Sequence, residues 1–198
     1  VQKFTKDGRF LSKFGSYGSG DGEFDMPWGV HIDEFSDIYV VDWRNDRVQK
    51  FDAEGNFIFK FGISGEGDGE FNRPTGVAVD AHGDIYVADC GNDRVQLFSK
   101  EGRYVQQFLG DAVMTRSTLA RMLTLSKKYY RFRESAESVG LDAARLFYRP
   151  VSVRVDDEFR MYVTDHWSYR YQVYQKEAYE LSEDQVELPM RAASTSPF

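Results

Sequence analysis

Apolar residues in this chain fall into short runs rich in Val, Ile, Tyr and Phe, separated by polar connections that carry Gly, Asp and Asn. That pattern predicts short antiparallel strands, because an amphipathic helix would instead bring an apolar residue round every third or fourth position. Four runs succeed one another at about 76–79, 84–88, 94–98 and 103–108. The connections AHGD and SKEGR between them are short and glycine-bearing, as hairpins require.

The pattern repeats. FGSYGSGDGEF at 14–24 returns as FGISGEGDGEF at 61–71, a period of 47 residues, and VQKF at Val1 and Val48 and VQLF at Val95 keep the same spacing. MPWGVHID from Met26 pairs with RPTGVAVD from Arg73, and DIYVVDWRNDRVQKF from Asp37 pairs with DIYVADCGNDRVQLF from Asp84. A third copy, RPVSVRVD from Arg149 and RMYVTDHWSYRYQVY from Arg160, follows the second by 76 residues, so an insertion of 29 separates them. Four-stranded units at this period predict an all-β fold, a β-propeller of four-stranded antiparallel blades. The expected organisation is half a blade and two full blades over 1–108, a helical insertion over 109–148, a third repeat copy over 149–181 and a polar tail over 182–198. In the insertion Leu119, Met122, Leu123 and Tyr130 form one helical stripe and Val139, Ala143, Leu146 and Phe147 a second. The chain opens in mid-repeat, which leads us to expect further sequence upstream and a place at the C-terminal end of a six-bladed ring.

The motifs PxGVxVD, IYVxDxxNDRVQxF and GxFxxxFG closely resemble NHL repeats, over 1–108 and 149–175. The third copy departs from them, with Ser152 in place of the glycine, Ser168 of the asparagine and Tyr171 of the valine. The resemblance implies a propeller that serves as a non-enzymatic scaffold for a protein or peptide. It also permits a lyase or hydrolase resembling the amidating lyases, which hold zinc with histidines at the axis, or the gluconolactonase-like propellers. The insertion is similar to those in some bacterial proteins of this type.

Composition narrows the partners. With 41% hydrophobic and 16% aromatic residues the chain can bury a core, and no apolar run is long enough to span a bilayer. The formal net charge is −7, but residues 109–149 hold eight basic and four acidic side chains, leaving −11 on the repeats. Such a scaffold repels phosphates, so no nucleic-acid partner is expected. The basic amphipathic segment at 119–133 leaves a membrane-surface or RNA role open for the insertion alone. A single cysteine, Cys90, excludes an internal disulfide and a multi-cysteine zinc module.

In a four-stranded meander the inter-blade connections and the connections between second and third strands share one face. The glycine loops, the loops at 43–46, 90–93 and 166–169 and the insertion are therefore expected together, and a ligand with them. The GDGE loops offer too few oxygens for calcium and lack the lysine and helix start of a phosphate cradle, so their glycines are read as turn architecture. Asp42, Asp89 and Asp165 each precede an arginine, Arg47, Arg94 and Arg170, by five residues. This is read as a structural lock in every blade, the aspartate accepting turn amides and the arginine clamping it. His31, His82 and His166 occupy three different repeat columns, where a ring of metal ligands would share one; no metal and no cofactor is expected. The candidate binding residues are Trp28, Trp43, Arg44, Arg73, His166, Trp167 and Tyr169, since aromatics and arginine anchor protein interfaces. The alternative is that these rings only pack neighbouring blades.

Overall fold

The computed structural model describes residues 1–110, 146–166 and 170–176. Two complete four-stranded antiparallel sheets succeed each other along the chain. The first comprises β5 (Pro27–Ile32), β6 (Ile38–Asp42), β7 (Arg47–Phe51) and β8 (Phe57–Phe61); the second comprises β11 (Pro74–Val79), β12 (Ile85–Asp89), β13 (Arg94–Phe98) and β14 (Tyr104–Phe108). A preceding pair, β1 (Gln2–Phe4) and β2 (Phe10–Lys13), stands where a blade's third and fourth strands would. A final three-stranded sheet is built from β15 (Pro150–Val155), β16 (Arg160–Asp165) and β17 (Arg170–Gln175). Each sheet is a simple meander in chain order, the topology of propeller blades.

The strand pattern explains its own burial. IYVVD and IYVAD are apolar on both faces because β6 and β12 are buried throughout, each lying in a blade that has another blade on one or both sides. One core cluster joins Tyr39, Val41, Val48 and Phe61 of the first full blade to Val77, Val79, Ile85 and Phe98 of the second. Another joins Ala88, Val95 and Leu97 of the second to Val153, Met161 and Val163 of the third. Phenylalanines packed at tilted angles thread the first interface, with the Phe61 and Phe98 ring centroids 4.8 Å apart and those of Phe71 and Phe98 5.4 Å apart.

The innermost strands approach closely, β11 packing beside both β5 and β15. A Cβ on Gly29 would lie 2.5 Å from the backbone oxygen of Thr75, and one on Gly76 would lie 3.0 Å from Cα of Ser152. The glycine of PxGV is therefore a contact between blades, and a side chain there would force neighbouring strands apart.

The glycine loops are more ordered than turns. Each contains a short parallel pair, β3 (Ser16–Tyr17) with β4 (Glu23–Phe24) and β9 (Ile63–Ser64) with β10 (Glu70–Phe71). Gly15, Gly18 and Gly22 in the first, and Gly62, Gly65 and Gly69 in the second, all have positive φ. The Glu23 carboxylate accepts the N–H of Gly20 at 2.8 Å, and Glu70 does the same for Gly67, so the GDGE glutamates close their own turns.

One sequence expectation is corrected here. Leu146 and Phe147 are not helical; Phe147 is 3% exposed and enters the core between the second and third blades, in the repeat position of Phe24 and Phe71. Its N–H donates to the Leu109 oxygen at 2.7 Å, which brings the two ends of the inserted segment together. The helical stripes proposed for 119–130 and for Val139 and Ala143 lie outside the described residues.

Candidate binding site on the loop-rich face

The side chains of DxxNDRxQ reach back to the glycine loop before their own blade, and this fixes the loop-rich face. Asp42 Oδ1 accepts the N–H of Asp25 at 2.8 Å, while Oδ2 accepts from Asn45 Nδ2 at 2.8 Å and Arg47 Nε at 2.9 Å. Arg47 also donates to the backbone oxygens of Ser19, Gly20 and Glu23, Gln49 to that of Glu23, and Asn45 to that of Gly18. The second blade repeats this with Asp89, Asn92, Arg94 and Gln96 around Asn72, Gly65, Gly67 and Glu70. In the third, Asp165 accepts the N–H of Tyr148 at 3.1 Å and Arg170 Nε at 3.4 Å, and Arg170 also reaches the Leu146 oxygen. The aspartate thus accepts an amide 17 residues upstream, not one within its own turn as the sequence suggested.

Asn45, Asn92, Gln49 and Gln96 escaped the sequence reading, although the repeated ND and VQ pairs held the signal. So did a second set on the opposite, hairpin face. Asp33, Asp80 and Asp156 each accept two turn amides and the hydroxyl of Tyr39, Tyr86 or Tyr162. Around Asp156 burial pushes the carboxyl upward, but the bonds from Arg160 and Tyr162 prevail and hold it at about 2. Lys176 of the third unit bonds both Asp80 and Asp84 at 2.7 Å, and His82 stacks on Phe159 at 4.4 Å, so this face also links blades.

The loops brought together above the strands carry the candidate binding residues. Trp28, 60% exposed, stacks on Trp43 with centroids 6.0 Å apart, and the Arg73 guanidinium lies over the Trp43 ring at 4.6 Å. Arg73 Nη1 donates to the backbone oxygens of Arg44 and Trp43, at 3.1 and 3.4 Å, and its N–H donates to Asp46. Arg44 is exposed, with Asp25 3.7 Å away. Trp28, Trp43, Arg44 and Arg73 therefore form one cluster. His166 is exposed at the third blade's equivalent of Trp43, its N–H donating to the Arg149 oxygen at 3.2 Å; Trp167 and Tyr169 lie outside the described residues.

The other two histidines sit elsewhere. His31 is half-buried on β5, its imidazole pKa lowered by burial and then by Arg154, and His82 is on the hairpin face. Among the described residues no group of three His, Cys, Asp or Glu side chains could hold a metal ion, and no helix is long and apolar enough to cross a membrane. A cavity of about 250 Å3 lies between outer strands of the second and third blades, lined by Leu97, Phe108, Met161 and Tyr174 among others, away from the aromatic cluster.

Residues 71–98 match the NHL repeat family. No curated protein is significantly similar in sequence to this chain. Among solved structures it is similar to a streptogramin B lyase (12% identity, 88% of this chain and 47% of that one, TM-score 0.46). It is also similar to a catalytically inactive virginiamycin B lyase from Staphylococcus aureus crystallised with quinupristin (10%, 89% and 48%, 0.49) and to Kuenenia stuttgartiensis hydrazine synthase (9%, 83% and 40%, 0.44). The chain spans less than half the length of each. Residues 71–98 thus carry an NHL repeat, and with meandering four-stranded sheets built on the same motif one period earlier the chain has the blade architecture of a β-propeller.

Proposed function

We propose that the chain is a non-enzymatic binding scaffold that engages a protein or peptide on its loop-rich face. The observation that carries this reading is the exposed Trp28, stacked on Trp43, which in turn carries the Arg73 guanidinium. A large aromatic side chain held by its neighbours but left open to solvent gains contact area on binding with little loss of rotamer freedom. The column that holds Trp28 has Thr75 in the next blade, where it is buried and bonds the Pro150 oxygen, so the repeat's architecture does not call for an indole there. Residues 109–148, which interrupt the repeat between Leu109 and Phe147, are proposed to border the same face and set its specificity.

A lyase or hydrolase would need acid, base or metal-binding groups converging at equivalent positions of successive blades. Of the described carboxylates that repeat, Asp42, Asp89 and Asp165 are bonded to arginine and backbone amides, and Asp33, Asp80 and Asp156 to turn amides and a tyrosine hydroxyl, which suits structural locks.

Selection of a random peptide library on the immobilised chain tests the reading. Trp28→Ala and Trp43→Ala should each weaken the selected peptides by about tenfold or more, with melting temperature little changed for Trp28→Ala. Peptides bound equally well by both variants would place the site elsewhere.

A further inference from the structure

The loop-rich face also carries positive charge that its aromatic stack leaves open. Arg73 is held by the Trp43 ring and by two bonds from Nη1, with Asp46 4.0 Å from that same nitrogen. Its Nε–H and Nη2 groups have no acceptor among the described residues, and the side chain is 42% exposed. These two nitrogens form the side edge of the guanidinium, whose parallel N–H groups match the oxygen spacing of a carboxylate.

The next blade repeats the placement independently. Arg149 stands in the same column as Arg73; both have positive φ, 57° and 53°, and both donate their backbone N–H to an aspartate of the preceding blade, Asp93 and Asp46, at 2.7 Å. Arg149 is exposed, and it opposes the burial that pushes up the thiol of Cys90, the residue in the column of Trp43. Arg44, 53% exposed, adds a third cation. The nearby carboxylates are Asp25 beside Arg44, and Asp46 and Asp93, each of which already accepts a backbone N–H.

Resting on the peptide-binding reading above, we infer that the ligand is an acidic peptide, with a carboxylate paired side-on to Arg73 and an adjacent apolar side chain against Trp28. A polyanion such as RNA is the poorer fit. The arginines are local, whereas the repeats around them carry −11, which repels an extended phosphate chain but tolerates a single carboxylate.

Fluorescence anisotropy with two synthetic panels tests this. One consists of labelled peptides with Asp or Glu beside Leu or Phe, and the other has the same peptides with Asn or Gln. The acidic panel should bind at least about tenfold more tightly. Arg73→Gln should abolish that preference, Arg73→Lys should keep part of it, and Trp28→Ala should weaken both panels alike. Backbone bonding of residue 73 survives these changes, and thermal melts of each variant check that it is folded. Equal affinity for both panels, lost in Trp28→Ala, would overturn the acidic ligand while leaving the binding face in place. No binding of either panel, together with library peptides indifferent to Trp28→Ala, would overturn both. Tighter binding of single-stranded RNA than of the acidic panel would also overturn it.

Discussion

Asp46 of one blade accepts the backbone N–H of Arg73 in the next at 2.7 Å, and both residues adopt positive φ, 49° and 53°. Asp93 and Arg149 repeat the bond at 2.7 Å with φ of 54° and 57°. A left-handed backbone costs a non-glycine residue about 1 kcal/mol, least for Asn and Asp, so the staple holds two strained positions together. Asp46→Asn keeps an acceptor oxygen and a residue tolerant of this backbone, and should change stability by less than about 0.5 kcal/mol. Asp46→Ala loses both and should cost about 2 kcal/mol. Urea melts of the two variants decide it; equal midpoints would show that the bond contributes nothing to blade docking.

Asp89→Ala should be far more damaging. Asp89 is fully buried and accepts from Asn72, Asn92, Arg94 and Gln96. Removing it strands the buried Arg94 charge, which typically costs about 3–5 kcal/mol. Denaturant titration of the purified protein should show this loss, while peptide affinity of the fraction that remains folded stays the same. Intact stability with lost binding would make Asp89 a ligand contact.

Two glycine substitutions separate strand approach from loop conformation. Gly29→Ala sets a methyl 2.5 Å from the Thr75 backbone oxygen, whereas Gly22→Ala meets nothing within 4 Å and bears only the strain of φ +76°. The first should cost more than about 2 kcal/mol and the second about 1 kcal/mol. Comparing their melts checks the order; if Gly22→Ala is the worse, the inner strands can move apart without loss.

Stability should fall with acid in a window set partly by His31. Burial, and then Arg154, lower its folded pKa below 6.5, with Asp33 opposing. As pH drops through about 6.5 the unfolded chain takes up a proton that the folded one refuses, so stability declines until the folded pKa is passed and then levels off. His31→Gln removes this slope. Urea midpoints at about pH 7.5 and 5.5 should differ less in the variant than in the parent, and an identical difference would assign the acid sensitivity to other groups.

The blades were legible in the sequence because repetition marked what periodicity alone could not. IYVVD and IYVAD are buried on both faces and show no alternation, so the hairpins on either side identified them as strands. The Asp42–Arg47 pairing was visible from its recurrence at Asp89–Arg94. The carbonyls that Arg47 binds were not, since any residue can supply a backbone oxygen and only the fold says which ones converge. Phe147 was misplaced in a helical stripe because the insertion interrupts the period just before it. Aligning FDMP, FNRP and FYRP, from Phe24, Phe71 and Phe147, would have returned it to the repeat. The Trp28–Trp43–Arg73 stack was foreseen only as a shared neighbourhood, because its geometry depends on the positive φ at Arg73, a conformation unusual for arginine.

The backward reach of the DxxNDRxQ side chains has a consequence for how the protein is made. Apart from Glu23 and Glu70, which close turns within their own loops, the side chains that organise a glycine loop follow it in the chain, Asp42 by 17 residues from Asp25 and Arg47 by 28 from Ser19. During synthesis the loop leaves the ribosome before these later partners exist, and the carbonyls that Arg47 binds lack its guanidinium until the following blade's third strand emerges. Each blade therefore finishes the connection behind it, while the aspartate at position 46 or 93 waits for an amide still to be translated. Assembly of this propeller proceeds by overlap between a completed past and a pending next unit, so a ribosomal pause just after either glycine loop would leave the nascent chain with that loop open.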